Sequence, residues 1–168
     1  MKGEEDMKQA RYEKRAKKFI QQIYPIIRKH PTNLKKCKEA ISQFNEEGHN
    51  VILMHGASRI ALIYSDFVVK WDWNKGNVVW VGGCQEEVKN YMYAKKNGHG
   101  RCFAKAIEYK YGDIYFIIMP RATKIGRARE YKWKKHFTWI SDNFWDLHNM
   151  NVGELNGYPV LVDYALRR

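Results

Sequence analysis

Apolar positions recur at three- and four-residue steps from Tyr12 through Ala16, Phe19/Ile20 and Ile23 to Ile27, with lysine, arginine and glutamine between them. That spacing predicts an amphipathic helix over residues 7–30. Pro25 removes a backbone donor within it and is expected to kink or restart it. Pro31-Thr32-Asn33 then reads as a stop followed by an N-cap. Leu34, Cys37, Ile41 and Phe44 mark one face of a second helix, which Gly48 ends.

The period changes at Asn50. Val51–His55, Arg59–Tyr64 and Phe67–Trp71 are short, β-rich runs separated by Gly56-Ala57-Ser58 and by Ser65-Asp66. They predict a three-stranded antiparallel meander. Residues 84–97 return to helical spacing and Gly98 stops them. Two strands are expected next, Phe103–Tyr109 and Ile114–Met119, around a turn at Gly112-Asp113. Trp133, Phe137, Ile140 and Phe144 mark a helix over 128–148, and Pro159–Tyr164 is a last β segment. The predicted order is therefore helix, helix, three strands, helix, two strands, helix, loop, strand. No series of parallel βαβ units, GxGxxG or Walker A sequence, internal repeat or low-complexity run is present. The class is α+β.

Composition narrows this picture. The chain has 168 residues, 45% of them hydrophobic and 14% aromatic, which suits one folded domain and not a disordered segment. No apolar run nears the roughly 18–20 residues that cross a bilayer, and Met1–Lys8 is too polar for a signal peptide. Cys37, Cys84 and Cys102 are far apart, with neither disulfide-framework nor zinc spacing. Reduced thiols in a cytoplasm are the expectation. The six histidines form no HxxxH or HExxH pair, so a structural zinc is not expected. The net charge of +12 is concentrated in Lys8–Lys38 and Lys124–Lys135, and such a surface attracts polyanions.

Phosphoryl transfer needs a cation on the phosphates, a partner that fixes it, metal ligands, and a carboxylate near the attacking hydroxyl. Candidates occur in that order. Lys70 lies in the third strand and Glu87, with Glu86 as an alternative, in the following helix; Asp146, Asn151 and Asp163 come near the end. The stretch Trp145-Asp-Leu-His-Asn-Met-Asn151-Val-Gly, with Pro159-Val-Leu-Val-Asp163-Tyr-Ala165, resembles the catalytic loop and metal-binding segment of protein-kinase-like enzymes. Its D-L-H-x-x-N form is most similar to the aminoglycoside phosphotransferase branch and to small kinase-like proteins of bacteria and phages.

The resemblance covers about residues 50–165. It implies Asp146 as catalytic base, Asn151 and Asp163 as magnesium ligands, and Lys70, held by Glu87, on the α- and β-phosphates of ATP. His148 stands where protein kinases place a lysine touching the transferring phosphate, and in this loop form it is read mainly as supporting the loop. Gly56-Ala57-Ser58 matches the position of the glycine-rich loop, with one glycine where three are usual. Met119-Pro120-Arg121 falls at the hinge, where backbone groups meet the base. The implied fold is a five-stranded antiparallel N-lobe sheet with an αC-type helix and a strongly reduced helical C-lobe. Residues 1–49 would be a helical extension on a minimal domain of 50–168, itself divided at 119/120, the whole being one compact unit. The extension is expected to cover the reduced second lobe.

Three departures from the family pattern stand out. Phe144 and Trp145 replace the polar or glycine residues that usually precede the base. Asp163-Tyr-Ala replaces D-F-G, and no activation segment or substrate-binding helices are expected after Arg168. Each residue alone has a plainer reading: a solvated strand lysine, a helix-face glutamate, a loop-capping aspartate, or an αL asparagine at Asn-Val-Gly. The expected function is a minimal ATP- and magnesium-dependent phosphotransferase with a protein or small-molecule hydroxyl as acceptor, in a bacterial cytoplasm or that of a phage's host. The alternative is a non-catalytic kinase-like module whose basic surface, including Arg127–Lys135, binds an acidic protein or nucleic acid. No membrane partner is expected, and the oligomeric state is left open.

Overall fold

The computed structural model describes residues 2–30, 33–45, 48, 50–56, 59–72, 83–125, 137–144 and 151–164. They form an α+β structure that divides into two compact units. The first comprises residues 1–84 and 107–121, and the second 85–106 and 122–168. Helix α3 thus falls almost wholly in the second unit, although the sequence groups it with the preceding strands.

In the first unit α1 (Lys2–Lys29) and α2 (Leu34–Phe44) precede a five-stranded antiparallel sheet. Its strands are β1 (Ile52–His55), β2 (Arg59–Ile63), β3 (Phe67–Asp72), β4 (Ile107–Tyr111) and β5 (Ile114–Pro120), in spatial order β1-β2-β3-β5-β4. Ile60 and Leu62, Phe67, Val69 and Trp71, and Phe116 and Ile118 point to one face, as the two-residue period of a strand requires. Ala16, Phe19, Ile20, Ile23 and Ile27 of α1, with Cys37, Ile41 and Phe44 of α2, complete that core. This corrects the expectation that the N-terminal helices cover the second lobe. Their apolar stripe matches a sheet face that would otherwise be bare.

Pro25 does not restart the helix, since α1 continues through it to Lys29. The proline is exposed while Ile23 and Ile27 on either side are buried. Burying each such side chain contributes about 1.5–3 kcal/mol. Together those contributions offset the roughly 3 kcal/mol that an interior proline costs.

Polar contacts tie α1 to the sheet's turns. Tyr24 Oη donates to Asp113 Oδ1 at 2.7 Å. Gly112, with φ of 59°, leaves the room that the tyrosine hydroxyl fills, because a Cβ there would overlap it. Arg15 Nη1 bonds Asp66 Oδ2 at 2.7 Å, and Arg121 Nη1 donates to the Tyr64 carbonyl at 3.0 Å. The β2–β3 turn is therefore held from two sides. Asn33 Oδ1 accepts the Lys36 amide at 3.0 Å, the expected N-cap of α2.

The second unit contains α3 (Cys84–Lys96) from residue 85 onward, a 3-10 turn (Gly100–Cys102) and α4 (Thr138–Asn143). It also holds a small antiparallel sheet of β6 (Thr123–Lys124), β7 (Val152–Leu155) and β8 (Tyr158–Leu161). Of the helix expected over 128–148, α4 is the part within the described residues. Phe103 corrects the expected strand start: β4 begins at Ile107, and Phe103 instead forms an isolated parallel bridge with Leu161. Burial explains the difference, because Phe103 packs on Phe144 (5.2 Å between ring centroids) and Tyr164 (4.9 Å). Strand β7 was not anticipated. Asn156 (φ 52°) and Gly157 (φ 82°) form the tight turn that joins it to β8. No helix among the described residues is long and apolar enough to cross a membrane.

Candidate functional site

The described candidates divide between the units, and each group is built locally. In the first unit, β3 carries Lys70 with Ala61 of β2 and Ile117 of β5 directly opposite. Its neighbours Val69 and Trp71 face α1 and α2, so strand alternation turns Lys70 to the other sheet face. The lysine is only 7% exposed there. A buried ammonium is costly without anionic or polar partners, which distinguishes it from the solvated strand lysine of the plainer reading. Met119, two residues along β5 from Ile117, shares that face and is buried.

The other first-unit candidates carry less. Gly56 donates its amide to the Arg59 carbonyl at 2.9 Å, which closes the β1–β2 turn. A Cβ at position 56 would meet nothing within 4 Å, so no steric demand for glycine exists there. Ala57 and Ser58 lie outside the described residues. The Arg121 amide donates to the Asp66 carbonyl at 3.0 Å. That donor is thus engaged with the β2–β3 turn.

In the second unit the structure gathers Glu87, Asn151 and Asp163 around one backbone segment. Glu87 on α3 is fully buried, and its Oε1 accepts the Tyr164 amide at 3.0 Å. One turn later Asn90, also buried, donates Nδ2 to the Tyr164 carbonyl at 2.8 Å. The phenol of Tyr164 donates to the Ala104 carbonyl. All the hydrogen-bonding groups of Tyr164 are therefore engaged, directly after Asp163. Before Asp163, the Val162 amide donates to the Asn151 carbonyl at 2.8 Å, which extends the β7–β8 ladder by one rung. Asn151 and Asp163 consequently sit at the same end of that hairpin, with Asn151 buried and Asp163 half-buried.

Glu86 and Glu87, indistinguishable as letters, differ in environment. Glu86 is partly exposed and bonds Lys89 at 2.6 Å, an ordinary i,i+3 surface pair. Glu87 faces inward. Sequence reasoning missed Asn90, whose i,i+3 spacing from Glu87 puts both on one helix face. A polar pair flanking the apolar positions of α3 was the available signal. Asp146 and His148 lie outside the described residues.

The donor chemistry at the hairpin end fits magnesium of one kind. Among the described residues no group of three or more His, Cys, Asp or Glu side chains could hold a metal. One carboxylate and one carboxamide oxygen do fit an ion that keeps waters and shares phosphate oxygens, as magnesium does beside nucleotides. Tyr115 is a separate perturbed group: burial first, then its bond to Glu108 at 2.7 Å, pushes its phenol far above the ordinary range. Burial likewise raises the thiols of Cys37 and Cys102, away from the reactive thiolate. Comparison with protein-family models, with curated proteins and with solved structures found no match.

Proposed function

We propose that this chain is a minimal kinase-like phosphotransferase, binding ATP with magnesium and passing the terminal phosphoryl group to a hydroxyl acceptor. The observation that carries the reading is the clamp on Tyr164. A fully buried glutamate and a buried asparagine from one helix face fix the backbone directly after Asp163. A loop aspartate with only a capping role has no need of two buried polar side chains to set its position. Preorganisation of this kind is what a metal-ligating carboxylate requires.

Lys70, buried on β3, is the cation for the α- and β-phosphates in this reading. Asn151 and Asp163 supply the oxygen ligands. Magnesium, when bound, neutralises charge on the phosphate oxygens. Asp146 accepts the proton of the acceptor hydroxyl as its oxygen bonds to the γ-phosphorus and ADP leaves.

The test is incubation of the purified chain with magnesium and γ-labelled ATP, scoring label on protein and released phosphate. Asp163→Ala is expected to lose magnesium-dependent nucleotide binding. Asp146→Ala is expected to keep binding and lose turnover. Equal activity in both variants sinks the assignment. Binding without transfer in the wild type leaves the non-catalytic nucleotide-binding module, the second reading of the same residues.

A further inference from the structure

The strongest unassigned feature is the outer face of α1. Its inner stripe, Phe19, Ile20, Ile23 and Ile27, is buried in the first unit's core. At about 100° per residue, the exposed positions Arg11, Lys14, Lys18, Arg28 and Lys29 fall on the opposite side in one band. The uncharged Gln21 and Gln22 continue the band between them. From Met7 to Lys29 the one acid is Glu13, which lies beside the buried stripe, outside the band, and is paired with Lys17 at 2.6 Å. The row from Arg11 to Lys29 is about 27 Å long at 1.5 Å per residue. Arg11, Lys14 and Lys18 stand about 5–6 Å apart on successive turns, and about 15 Å of helix then separates Lys18 from Arg28.

We infer that this face binds the phosphate backbone of a nucleic-acid duplex, without sequence preference. Three observations select that partner. Between Met7 and Lys29 the exposed positions without a polar side chain are Met7, at the N-terminal end of the band, Ala10 and Pro25. Apart from Met7 at its end, the face lacks the aromatic and aliphatic anchors on which protein interfaces depend, whereas nucleic-acid interfaces are polar and strongly positive. A membrane-surface helix would insert its apolar stripe, and here that stripe is enclosed in the core.

The third observation concerns the adjoining groove, about 280 Å³, lined by Arg15, Lys18, Phe19, Gln22, Tyr64 and Phe67. Tyr64 is the one ring there with the character of a base-stacking platform. Phe67 stacks against it at 5.0 Å between centroids, and the Arg15 guanidinium lies 5.8 Å over its ring. Both contacts occupy the ring, so unpaired bases find no platform of the kind single-strand binders use. What the band offers is charge along a line, which suits a duplex carrying about one phosphate charge per 1.7 Å.

The experiment measures fluorescence anisotropy of a labelled DNA duplex of about 20 base pairs, long enough to exceed the band at 3.4 Å per pair. The full chain is compared with Arg11→Gln/Lys14→Gln/Lys18→Gln. A second variant, Lys95→Gln/Lys96→Gln/Lys110→Gln, makes the same change in net charge at exposed cations elsewhere. Glutamine keeps helix propensity, and thermal melting monitors folding of both variants. The α1 variant is expected to weaken binding about tenfold near 0.1 M salt and to flatten the slope of log affinity against log salt by about 0.9 per lost contact. The control variant should retain most of the wild-type affinity and slope. Equal losses in both variants overturn the proposal in favour of diffuse net charge. Wild-type binding that poly-glutamate displaces as well as unlabelled duplex at equal charge overturns it in favour of an acidic protein. Absence of salt-dependent binding overturns it outright.

Discussion

Tyr164 is where single side chains decide most. Its amide, carbonyl and phenol are each bonded, and Glu87 and Asn90 supply two of those partners from inside the protein. Removing a buried acceptor leaves its donor desolvated and unpaired, at a cost of about 1–3 kcal/mol. Glu87→Ala should therefore lower the urea midpoint markedly, whereas Glu87→Gln, which keeps a carbonyl acceptor, should lower it less. Equal losses would show that the Tyr164 amide is not the contact that matters. Asp113 offers a pH-dependent test at the same scale. Hydrogen bonding from Tyr24, then its own backbone amide, holds its carboxyl below the ordinary range. The contribution is present above the unfolded-state value, near pH 4, and is lost as pH falls through the lower folded value. Tyr24→Phe should thus reduce the melting temperature at neutral pH, and its deficit should shrink on acidification below about pH 4. A deficit constant across that range would remove the carboxylate from the account.

Among the elements, α1 has the largest consequence for the first unit. Ile23 is fully buried between helix and sheet, so Ile23→Ala should cost about 2–5 kcal/mol by equilibrium denaturation. A loss well under 1 kcal/mol would mean that α1 is not part of the sheet's core. The elements most legible as sequence are those whose period matches one buried face. Strand β2 alternates, α1 and α2 repeat at three and four residues, and all three overlap their expected ranges, α1 starting earlier at Lys2. Legibility failed where tertiary contacts set the structure. Phe103 looks like the start of a strand, yet its partners Phe144 and Tyr164 lie far along the chain. Strand β7 was hidden because Asn151-Val-Gly reads as a turn, although Asn156-Gly157, three residues after Gly153, is the stronger hairpin signal. The candidate site shows the same division. Lys70, Glu87, Asn151 and Asp163 could be picked out by residue type and order. The choice of Glu87 over Glu86, and the part taken by Asn90, depend on which side of α3 is buried.

At the scale of the whole molecule, a net charge of +12 means that ATP would have two ways to associate: at the proposed nucleotide site, or as a small polyanion on the basic surface. Ionic strength separates them, because exposed charges are screened within about 10 Å at 0.1 M salt and buried ones far less. Lys70 is 7% exposed, whereas Arg11, Lys14 and Lys18 are open to solvent. A ligand that binds only the native state stabilises it by about 2.7 kcal/mol at one hundred times its dissociation constant. The expected result is that ATP with magnesium raises the melting temperature of the wild type, that most of the rise survives in about 0.5 M salt, where the screening length is under 5 Å, and that Asp163→Ala abolishes it. Duplex binding should vanish over the same range of salt and be unaffected by Asp163→Ala. If the ATP-induced rise instead needs no magnesium and fades with salt alongside duplex binding, the nucleotide is being held by the α1 face or its like. The phosphotransferase reading would then lose its ligand, while the duplex-binding face would remain. Persistence of the rise in high salt together with an undiminished effect in Asp163→Ala would keep a nucleotide site and remove the aspartate from it.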